Sequence, residues 1–313
     1  MFPQDHIGIV ADNANRRVTI FSTDTLTALE QIPLNADVID AVITPDCNRA
    51  VVTSFGSRTM FQIDLCERPA MVIGSVVTST NLEDVQLTPD GRFALAVDGS
   101  GVDQPIVSYS LRHNAIVSAL TTNAQAVAIS PACNGLVLAA VTQSDSVRRF
   151  TLDRNGILFD TGQQFAAGAR PNNILFNPTG EFAFVAGRTG EVSVLSTALP
   201  DNITLLETLT ASGLQQSLAM TRDGRHLFVL AAAEVGIYSF DPVAGNLTPE
   251  RSFAHGLSIA SFFGVEQIAL DASETRLFIS ANGQVAVFTT YGLPLGTVAG
   301  ASGPGGLAIC RRC

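Results

Sequence analysis

Carboxylate and amide side chains recur in this sequence immediately before short apolar runs. The seven dipeptides in this position are Ile39-Asp40, Glu83-Asp84, Gln125-Ala126, Asn172-Asn173, Gln216-Ser217, Glu266-Gln267 and Gly305-Gly306. A strand that enters an apolar core does not need a polar residue at its start, so the repetition indicates a shared polar surface. A second series of loop residues adds charge and amides: Asp12, Arg58, Asp98, Asp145, Arg188, Glu234 and Asn282.

Three interpretations of this polar surface remain open. The residues can simply line a water-filled channel and satisfy backbone groups there. They can bind a cation, because carboxylate and amide oxygens suit calcium; the candidate ligands are Asp40, Asp84, Asn172 and Glu266. They can also be catalytic, with Glu83, Asp84 or Glu266 as a base and Arg170 steadying a developing negative charge. Further expected ligand contacts are Asp40, Gln125, Asn172, Asn173, Gln216, Arg58, Arg188 and His255.

A repeat of the surrounding sequence predicts how these residues are positioned. Its apolar anchors are Val42, Val85, Val127, Ile174, Leu218, Ile268 and Leu307, spaced 39 to 50 residues apart. Each anchor precedes a turn such as TPDG and then a β-rich run such as FALAV. Proline presets the first turn position and glycine accepts positive φ later, so these are hairpin turns. A period of roughly 40–50 residues built from short strands is typical of propeller blades.

The two ends of the chain complement each other. HIGIVADNANRRVTIFST predicts a second and third strand without a first, whereas GPGGLAIC predicts a first strand without a successor. Together they complete a blade. Closing the ring in this way removes the exposed strand edges that two incomplete blades would leave. We therefore predict an all-β, single-domain, seven-bladed propeller over residues 1–313 with four-stranded antiparallel blades. The expected blades are 305–313 with 6–34, 37–77, 81–120, 124–166, 170–210, 214–253 and 264–299.

The repeat resembles a known family. TPDGRFALAV and ADNANRRVTIFSTDTLT are similar to the repeat of YVTN-type, YncE-like seven-bladed propellers, and the similarity spans essentially the whole chain. The chain has no Trp, which separates it from WD40 repeats. The resemblance implies the fold, and a superfamily of lactonase-like hydrolases, cycloisomerases and extracellular or periplasmic binding proteins. Because a fold hosts many functions, it does not by itself fix this one.

Composition excludes several classes of function. The net charge is −10, which argues against nucleic-acid binding and disfavours anionic membranes. All 18 basic residues are Arg, so a Schiff-base lysine, a Ser–Lys dyad and a Walker loop are excluded. No apolar run approaches the ~20 residues of a membrane span. We expect a soluble protein; its compartment stays open, and a periplasmic or extracellular one is compatible with a leader already removed.

Five cysteines and one long insert complete the sequence evidence. Cys47, Cys133 and Cys313 align with the turn glycines, and Cys66 should emerge near Cys47, so a Cys47–Cys66 disulfide is predicted. Alternatively, Cys310 and Cys313 can pair with each other, bind a metal weakly or stay free. The apolar insert 252–265, which carries His255, is interpreted either as a lid over the channel or as packing over a blade edge.

From the sequence we favour a non-catalytic propeller that binds a small molecule or a protein at the channel mouth or rim. The alternative is a lactonase-like hydrolase or isomerase acting at the same mouth. The two differ because catalysis needs a carboxylate or His beside an Arg or amide donor, in a pocket that shifts pKa values.

Overall fold

The chain folds as a ring of seven four-stranded antiparallel sheets, which confirms the predicted propeller. The computed structural model describes residues 6–101, 104–122, 125–211, 213–259, 267–281, 283–301 and 305–311. We number the blades 1 to 7 from the N-terminus. A 3-10 turn at Thr142–Ser144 interrupts the loop that follows one buried strand.

Each blade runs from an innermost to an outermost strand. Blade 1 holds β28 (Leu307–Ile309), β1 (Ile7–Asp12), β2 (Arg17–Ser22) and β3 (Thr27–Pro33); blade 2 holds β4 (Val38–Ile43), β5 (Arg49–Ser54), β6 (Thr59–Asp64) and β7 (Met71–Val77). Blade 3 holds β8 (Asp84–Leu87), β9 (Phe93–Val97), β10 (Pro105–Ser110) and β11 (Ala115–Thr121); blade 4 holds β12 (Ala126–Pro131), β13 (Leu136–Val141), β14 (Ser146–Leu152) and β15 (Leu158–Ala166).

The remaining three blades follow the same order. Blade 5 holds β16 (Pro171–Phe176), β17 (Phe182–Gly187), β18 (Glu191–Ser196) and β19 (Thr204–Thr210). Blade 6 holds β20 (Gln215–Met220), β21 (His226–Ala231), β22 (Glu234–Asp241) and β23 (Asn246–Ala254). Blade 7 holds β24 (Gln267–Leu270), β25 (Arg276–Ala281), β26 (Gln284–Thr289) and β27 (Pro294–Thr297).

The second strands are apolar because neighbouring blades cover both of their faces. Every residue of β9 and β13 is buried, whereas β7 at the rim contains only exposed and half-buried residues. Seven apolar clusters result, most of them combining residues from two neighbouring blades. A chain of this length therefore needs no single large core.

The turns between first and second strands follow a common hydrogen-bond scheme. The Thr88 hydroxyl accepts the Phe93 N–H at 3.1 Å and donates to Asp90 at 2.6 Å, and Thr44 and Thr221 do the same. The turn then needs positive φ three residues after Thr, which Gly91 supplies at 67° and Cys47 at 59°. In blade 4 the positive φ falls on Gly135 instead, so the alignment of Cys133 with the turn glycines is wrong.

The predicted ring closure is confirmed. β28 pairs antiparallel with β1, with Val10 opposite Leu307 and Gly8 opposite Ile309. Gly305 and Gly306 lie at this seam, where the Gly306 N–H donates to Ile39 at 2.7 Å and its carbonyl accepts from Ala11 at 2.9 Å. Gly306, just before β28, therefore makes a close backbone contact with both neighbouring strands.

The predicted Cys47–Cys66 disulfide is wrong, because Cys47 is bonded to Cys310 with a Cα–Cα distance of 5.5 Å. Cys310 follows β28 directly, and the ring brings the end of that strand against the first turn of blade 2. Cys66 and Cys133 are exposed free thiols. The alternative Cys310–Cys313 pair is also wrong, because Cys310 is bonded to Cys47. Cys313 itself lies outside the described residues.

Across the described part of the chain, no helix has the length and apolar character that crossing a membrane requires.

Candidate functional site

A cavity of about 300 Å³ opens at the mouth of the channel between blades 3, 4 and 5. Glu83, Gln125 and Arg170 reach it from the loops that precede the innermost strands. Loops that follow the second strands of the same blades contribute Gly99, Thr142, Gln143 and Arg188, and Val127 completes the wall. The two loop series recognised in the sequence therefore meet here, as the alternation of strand directions requires.

Glu83 is the most unusual group in this cavity. Its side chain is only 6% exposed, and its Oε1 is buried without a hydrogen-bond partner among the described residues. The backbone N–H of Gly99 donates to the carboxylate. Burial, reinforced by the charge of Asp98, raises the pKa of Glu83 to about 7, although Arg188 acts in the opposite direction. A buried acceptor without a donor is costly, so this oxygen is suited to a hydroxyl or amide of a ligand.

Two guanidinium groups share the cavity with Glu83. Arg188 Nε donates to Asn172 Oδ1 at 2.8 Å, which orients the guanidinium. Burial and the nearby charge of Arg170 lower the pKa of Arg188, so the two cations are close enough to repel. The backbone N–H of Arg170 donates to Asp145 Oδ1 at 2.8 Å, which anchors its loop at a positive φ of 49°. Paired cations at a concave site favour an anionic ligand group.

Gln125 completes the floor of the cavity. Its Nε2 donates to the Gly99 carbonyl at 2.5 Å, which joins blade 4 to the loop after β9 in blade 3; the N–H of the same Gly99 donates to Glu83. The predicted residues Glu83, Gln125, Arg170 and Arg188 therefore line one cavity. Asn172 supports it from behind, through Arg188.

Asp40 and Asp84 have a different position, inside the ring of innermost strands. Asp40 Oδ2 accepts the Val85 N–H at 2.9 Å, and Asp84 Oδ2 accepts the Ile129 N–H at 2.9 Å. Each aspartate thus joins the innermost strand of its own blade to that of the next blade. Burial and the charge of Asp84 raise the pKa of Asp40 well above its usual range, and burial raises the pKa of Asp84 to about 6.

Ser217 and Gln267 make the same kind of contact further round the ring. Ser217 Oγ accepts the Ile268 N–H at 3.4 Å, and Gln267 Oε1 accepts the Leu307 N–H at 2.8 Å. Gln267 Nε2 also donates to Asp40 Oδ1 at 2.8 Å. We call Asp40, Asp84, Ser217 and Gln267 the inner belt. Sequence reasoning named Gln267 only as the neighbour of Glu266, although its place directly before the anchor Ile268 matches that of Asp84 before Val85.

The described members of the predicted calcium site do not fit a cation. The oxygens of Asp40 and Asp84 face backbone N–H donors, and Asn172 Oδ1 already accepts from Arg188. Within the ranges that the structure describes, no three acidic, His or Cys side chains come together as a metal site would require. The fourth predicted ligand, Glu266, lies outside the described residues. Its predicted catalytic role therefore stays a prediction.

Two of the other predicted contacts, Asn173 and Arg58, lie elsewhere. Asn173 lines the central channel, a cavity of about 270 Å³ that it shares with Gln86, Ser217 and Gln267. Arg58 is exposed in the turn before β6, where its carbonyl accepts the Thr78 N–H at 2.7 Å, and it does not line the mouth cavity. The side chain of Gln216 is outside the described part of the structure.

His255 is engaged within the chain. Its Nδ1 accepts the Leu257 N–H at 3.0 Å, so the ring proton sits on Nε2, which lies 3.0 Å from the Ala231 carbonyl. The ring is 6% exposed and both nitrogens have partners. His255 therefore fixes the start of the insert to blade 6, and no ring nitrogen is left for a ligand.

The described part of the insert packs against the body of the propeller. Phe253, Leu257 and Ile259 contact the apolar cluster shared by blades 6 and 7. This supports the packing interpretation for residues 252–259, and residues 260–265 lie outside the described residues.

Comparison with solved structures gives a relative that is described as functionally unknown. A functionally unknown protein from Desulfotomaculum acetoxidans DSM 771 has 40% identity over 98% of this chain and 100% of its own, with a TM-score of 0.95. No family model matches the chain, so the YVTN resemblance stays a prediction, and no curated protein matches.

More distant solved structures share the fold. A putative 6-phosphogluconolactonase from Bacteroides uniformis has 15% identity, covers 95% of this chain and 98% of its own, and has a TM-score of 0.77. The periplasmic gluconolactonase of Pseudomonas aeruginosa has 14% identity, with coverages of 96% and 98% and a TM-score of 0.76. At such identities the likeness extends to architecture alone.

Proposed function

We propose that the propeller binds a small, hydroxylated anion in its mouth cavity. The chain belongs to the same family as the functionally unknown protein from Desulfotomaculum acetoxidans, so the proposal is argued from the geometry of the cavity. The observation that carries the proposal is the buried Oε1 of Glu83, which has no hydrogen-bond partner within the described ranges, in a cavity that also presents Arg170 and Arg188.

Each part of the proposed ligand answers one feature of the cavity. The free acceptor on Glu83 calls for a hydroxyl donor, since a buried acceptor left unpaired costs ~1–3 kcal/mol. The two guanidiniums call for a carboxylate or phosphate, which they can hold through charge-assisted hydrogen bonds. The volume of about 300 Å³ is at the lower end of small-molecule sites, so we expect a compact ligand.

A matched series of six-carbon probes tests this proposal by calorimetry. We expect gluconate to bind, and sorbitol, which lacks the carboxylate, and hexanoate, which lacks the hydroxyls, to bind at least tenfold more weakly. Arg188→Gln should weaken gluconate binding tenfold or more, a loss of about 1.4 kcal/mol. Arg225→Gln, an exposed arginine at the turn after β20, is the matched control and should change nothing. Equal affinities for all three probes, or an unaffected Arg188→Gln protein, would contradict the proposal.

Lactone hydrolysis at the same cavity is the second candidate. A carboxylate with a pKa of about 7 is well matched to general-base catalysis near neutral pH, and Arg188 could stabilise an oxyanion beside it. We expect a lactonase to hydrolyse glucono-δ-lactone above the spontaneous rate, with kcat rising as Glu83 ionises, and Glu83→Gln to lower kcat by ~10²–10⁴. A rate equal to that of buffer would leave binding as the function.

An oxidising location is part of the proposal. The Cys47–Cys310 disulfide is of the kind that persists in the periplasm or outside the cell. Alkylation of the denatured protein before and after reduction measures this directly. We expect two additional thiols after reduction; no additional thiol would place the protein in a reducing compartment.

A further inference from the structure

We propose that Cys66 exchanges with the Cys47–Cys310 disulfide, so that the bond holding the last strand in the ring can move to Cys47–Cys66 inside the same molecule. This inference concerns the face of the propeller opposite the mouth and does not depend on the proposed ligand.

The register of two strands places Cys66 beside Cys47. β5 and β6 are antiparallel, with Arg49 opposite Asp64. The ladder continues one step further, because the Leu65 N–H donates to the Asn48 carbonyl at 2.9 Å. The next opposed residues are then Cys47 and Cys66. The Cys66 Sγ lies 3.8 Å from the Asn48 carbonyl oxygen, which belongs to the residue directly after Cys47.

The three sulfurs differ in access. Cys47 and Cys310 are fully buried, so a thiol from solution has no direct access to the disulfide. Cys66 is exposed and lines an open cleft of about 1020 Å³ between the turns of blades 2, 3 and 4. Its thiol is therefore in contact with water while the backbone holds it opposite Cys47, one end of the disulfide. An intramolecular attack has a large advantage in effective concentration over an external thiol.

The exchange balances without an outside oxidant. The Cys66 thiolate attacks Sγ of Cys47, and the Cys47–Cys66 bond forms as the Cys47–Cys310 bond breaks. Cys310 leaves as a thiolate and takes up the proton that Cys66 released. One disulfide is present before and after, and the number of thiols is unchanged.

The consequence falls on the closure of the ring. β28 has only three residues and pairs with β1 in three positions. Cys47–Cys310 is its covalent link to blade 2, whereas Cys47–Cys66 is a link within blade 2. Exchange therefore converts a covalently closed ring into one closed by non-covalent contacts alone.

Tryptic mapping under non-reducing conditions tests the exchange. An arginine separates each of the five cysteines from the next, so trypsin places them on five peptides. After incubation at pH 8.5 under argon and acid quenching, we expect the Cys47 peptide linked to the Cys66 peptide. Its rate of appearance should be unchanged by tenfold dilution and roughly tenfold or more slower at pH 6.5, because the thiolate is the attacking species.

Variants separate this reaction from its rivals. Cys66→Ser should keep Cys47–Cys310 and show no rearrangement, whereas Cys133→Ser and Cys313→Ser should rearrange as the wild type does. Cys310→Ser treated with oxidised glutathione should form the Cys47–Cys66 disulfide. This tests whether the Cys66 sulfur can reach the Cys47 sulfur, independently of the exchange. Absence of the Cys47–Cys66 peptide from the wild type at pH 8.5, a rate that rises with protein concentration, or only glutathione adducts on Cys310→Ser would overturn the proposal.

Discussion

At the scale of single residues, neighbouring carboxylates of one sequence repeat have separate roles. Glu83 and Asp84 are adjacent, and successive residues at the start of a strand point to opposite sides. Glu83 therefore faces the mouth cavity, while Asp84 accepts a backbone N–H from the next blade. Their pKa values are raised mainly by the same cause, burial. Of the two, Glu83 alone has a carboxylate oxygen for which the described part of the chain offers no hydrogen-bond partner.

Replacement of Glu83 by Gln should stabilise the protein at high pH. The folded pKa of Glu83, about 7, lies above its unfolded value, so its favourable contribution is complete below pH ~4.5 and is lost as pH rises through about 7. At pH 8 we expect the free energy of unfolding of Glu83→Gln to be on the order of 2–3 kcal/mol higher than that of the wild type. At pH 4 we expect the two proteins to have similar free energies of unfolding. Urea denaturation at both pH values measures this. The exposed Glu67→Gln is the control, and equal stabilities at pH 8 would contradict the assignment.

Gly306→Ala should disturb the seam of the ring. A Cβ at Gly306 would lie 2.5 Å from the Asp40 Cα and 2.6 Å from the Ala41 N, and backbone atoms cannot move aside cheaply. We expect a loss of ~1–3 kcal/mol or more in the free energy of unfolding. Thermal melts of both variants measure this. Gly101→Ala, whose Cβ would meet only a side-chain atom at 3.8 Å, should have nearly the wild-type stability.

At the scale of elements, polar side chains connect strands that no sheet ladder joins. The inner belt links successive innermost strands through side-chain-to-backbone hydrogen bonds. His255 does the same for the insert, because it contacts both β21 and the backbone of Leu257. Residues that the sequence analysis named as candidate ligands, such as Asp40, Asp84 and His255, therefore connect strands and loops through hydrogen bonds.

His255→Ala should destabilise the insert without affecting the mouth cavity. The substitution leaves the Ala231 carbonyl and the Leu257 N–H without their partner, at a cost of ~1–3 kcal/mol. We expect a lower melting temperature with gluconate affinity unchanged. A change in affinity with unchanged stability would instead assign His255 to the site.

At the scale of the whole molecule, the ring depends on a short closing strand. β28 offers three residues to its sheet, so the seam is reinforced by Gln267, by the close approach of Gly306 and by the Cys47–Cys310 disulfide. The disulfide joins residues 263 positions apart, which makes it a constraint on nearly the entire unfolded chain.

Cys310→Ser should therefore lower the stability of the whole propeller. Loss of a cross-link over so long a loop is expected to cost ~2–5 kcal/mol in the free energy of unfolding. The measurement is chemical denaturation without reductant, with Cys133→Ser as the control. An unchanged midpoint for Cys310→Ser would show that the seam does not depend on this bond.

The sequence by itself determined the number of blades, the shared blade at the seam and the two loop series that meet at the mouth. These follow from local rules, since turn chemistry around Thr88 or Thr221 and short β-branched runs act within one repeat and recur along the chain. Only the tertiary structure decided that Glu83, Arg170 and Arg188 share a cavity, that Asp40 contacts Gln267, and that Cys47 bonds to Cys310. Such contacts join different blades, so they depend on how the blades are oriented around the closed ring, which residue spacing alone does not specify.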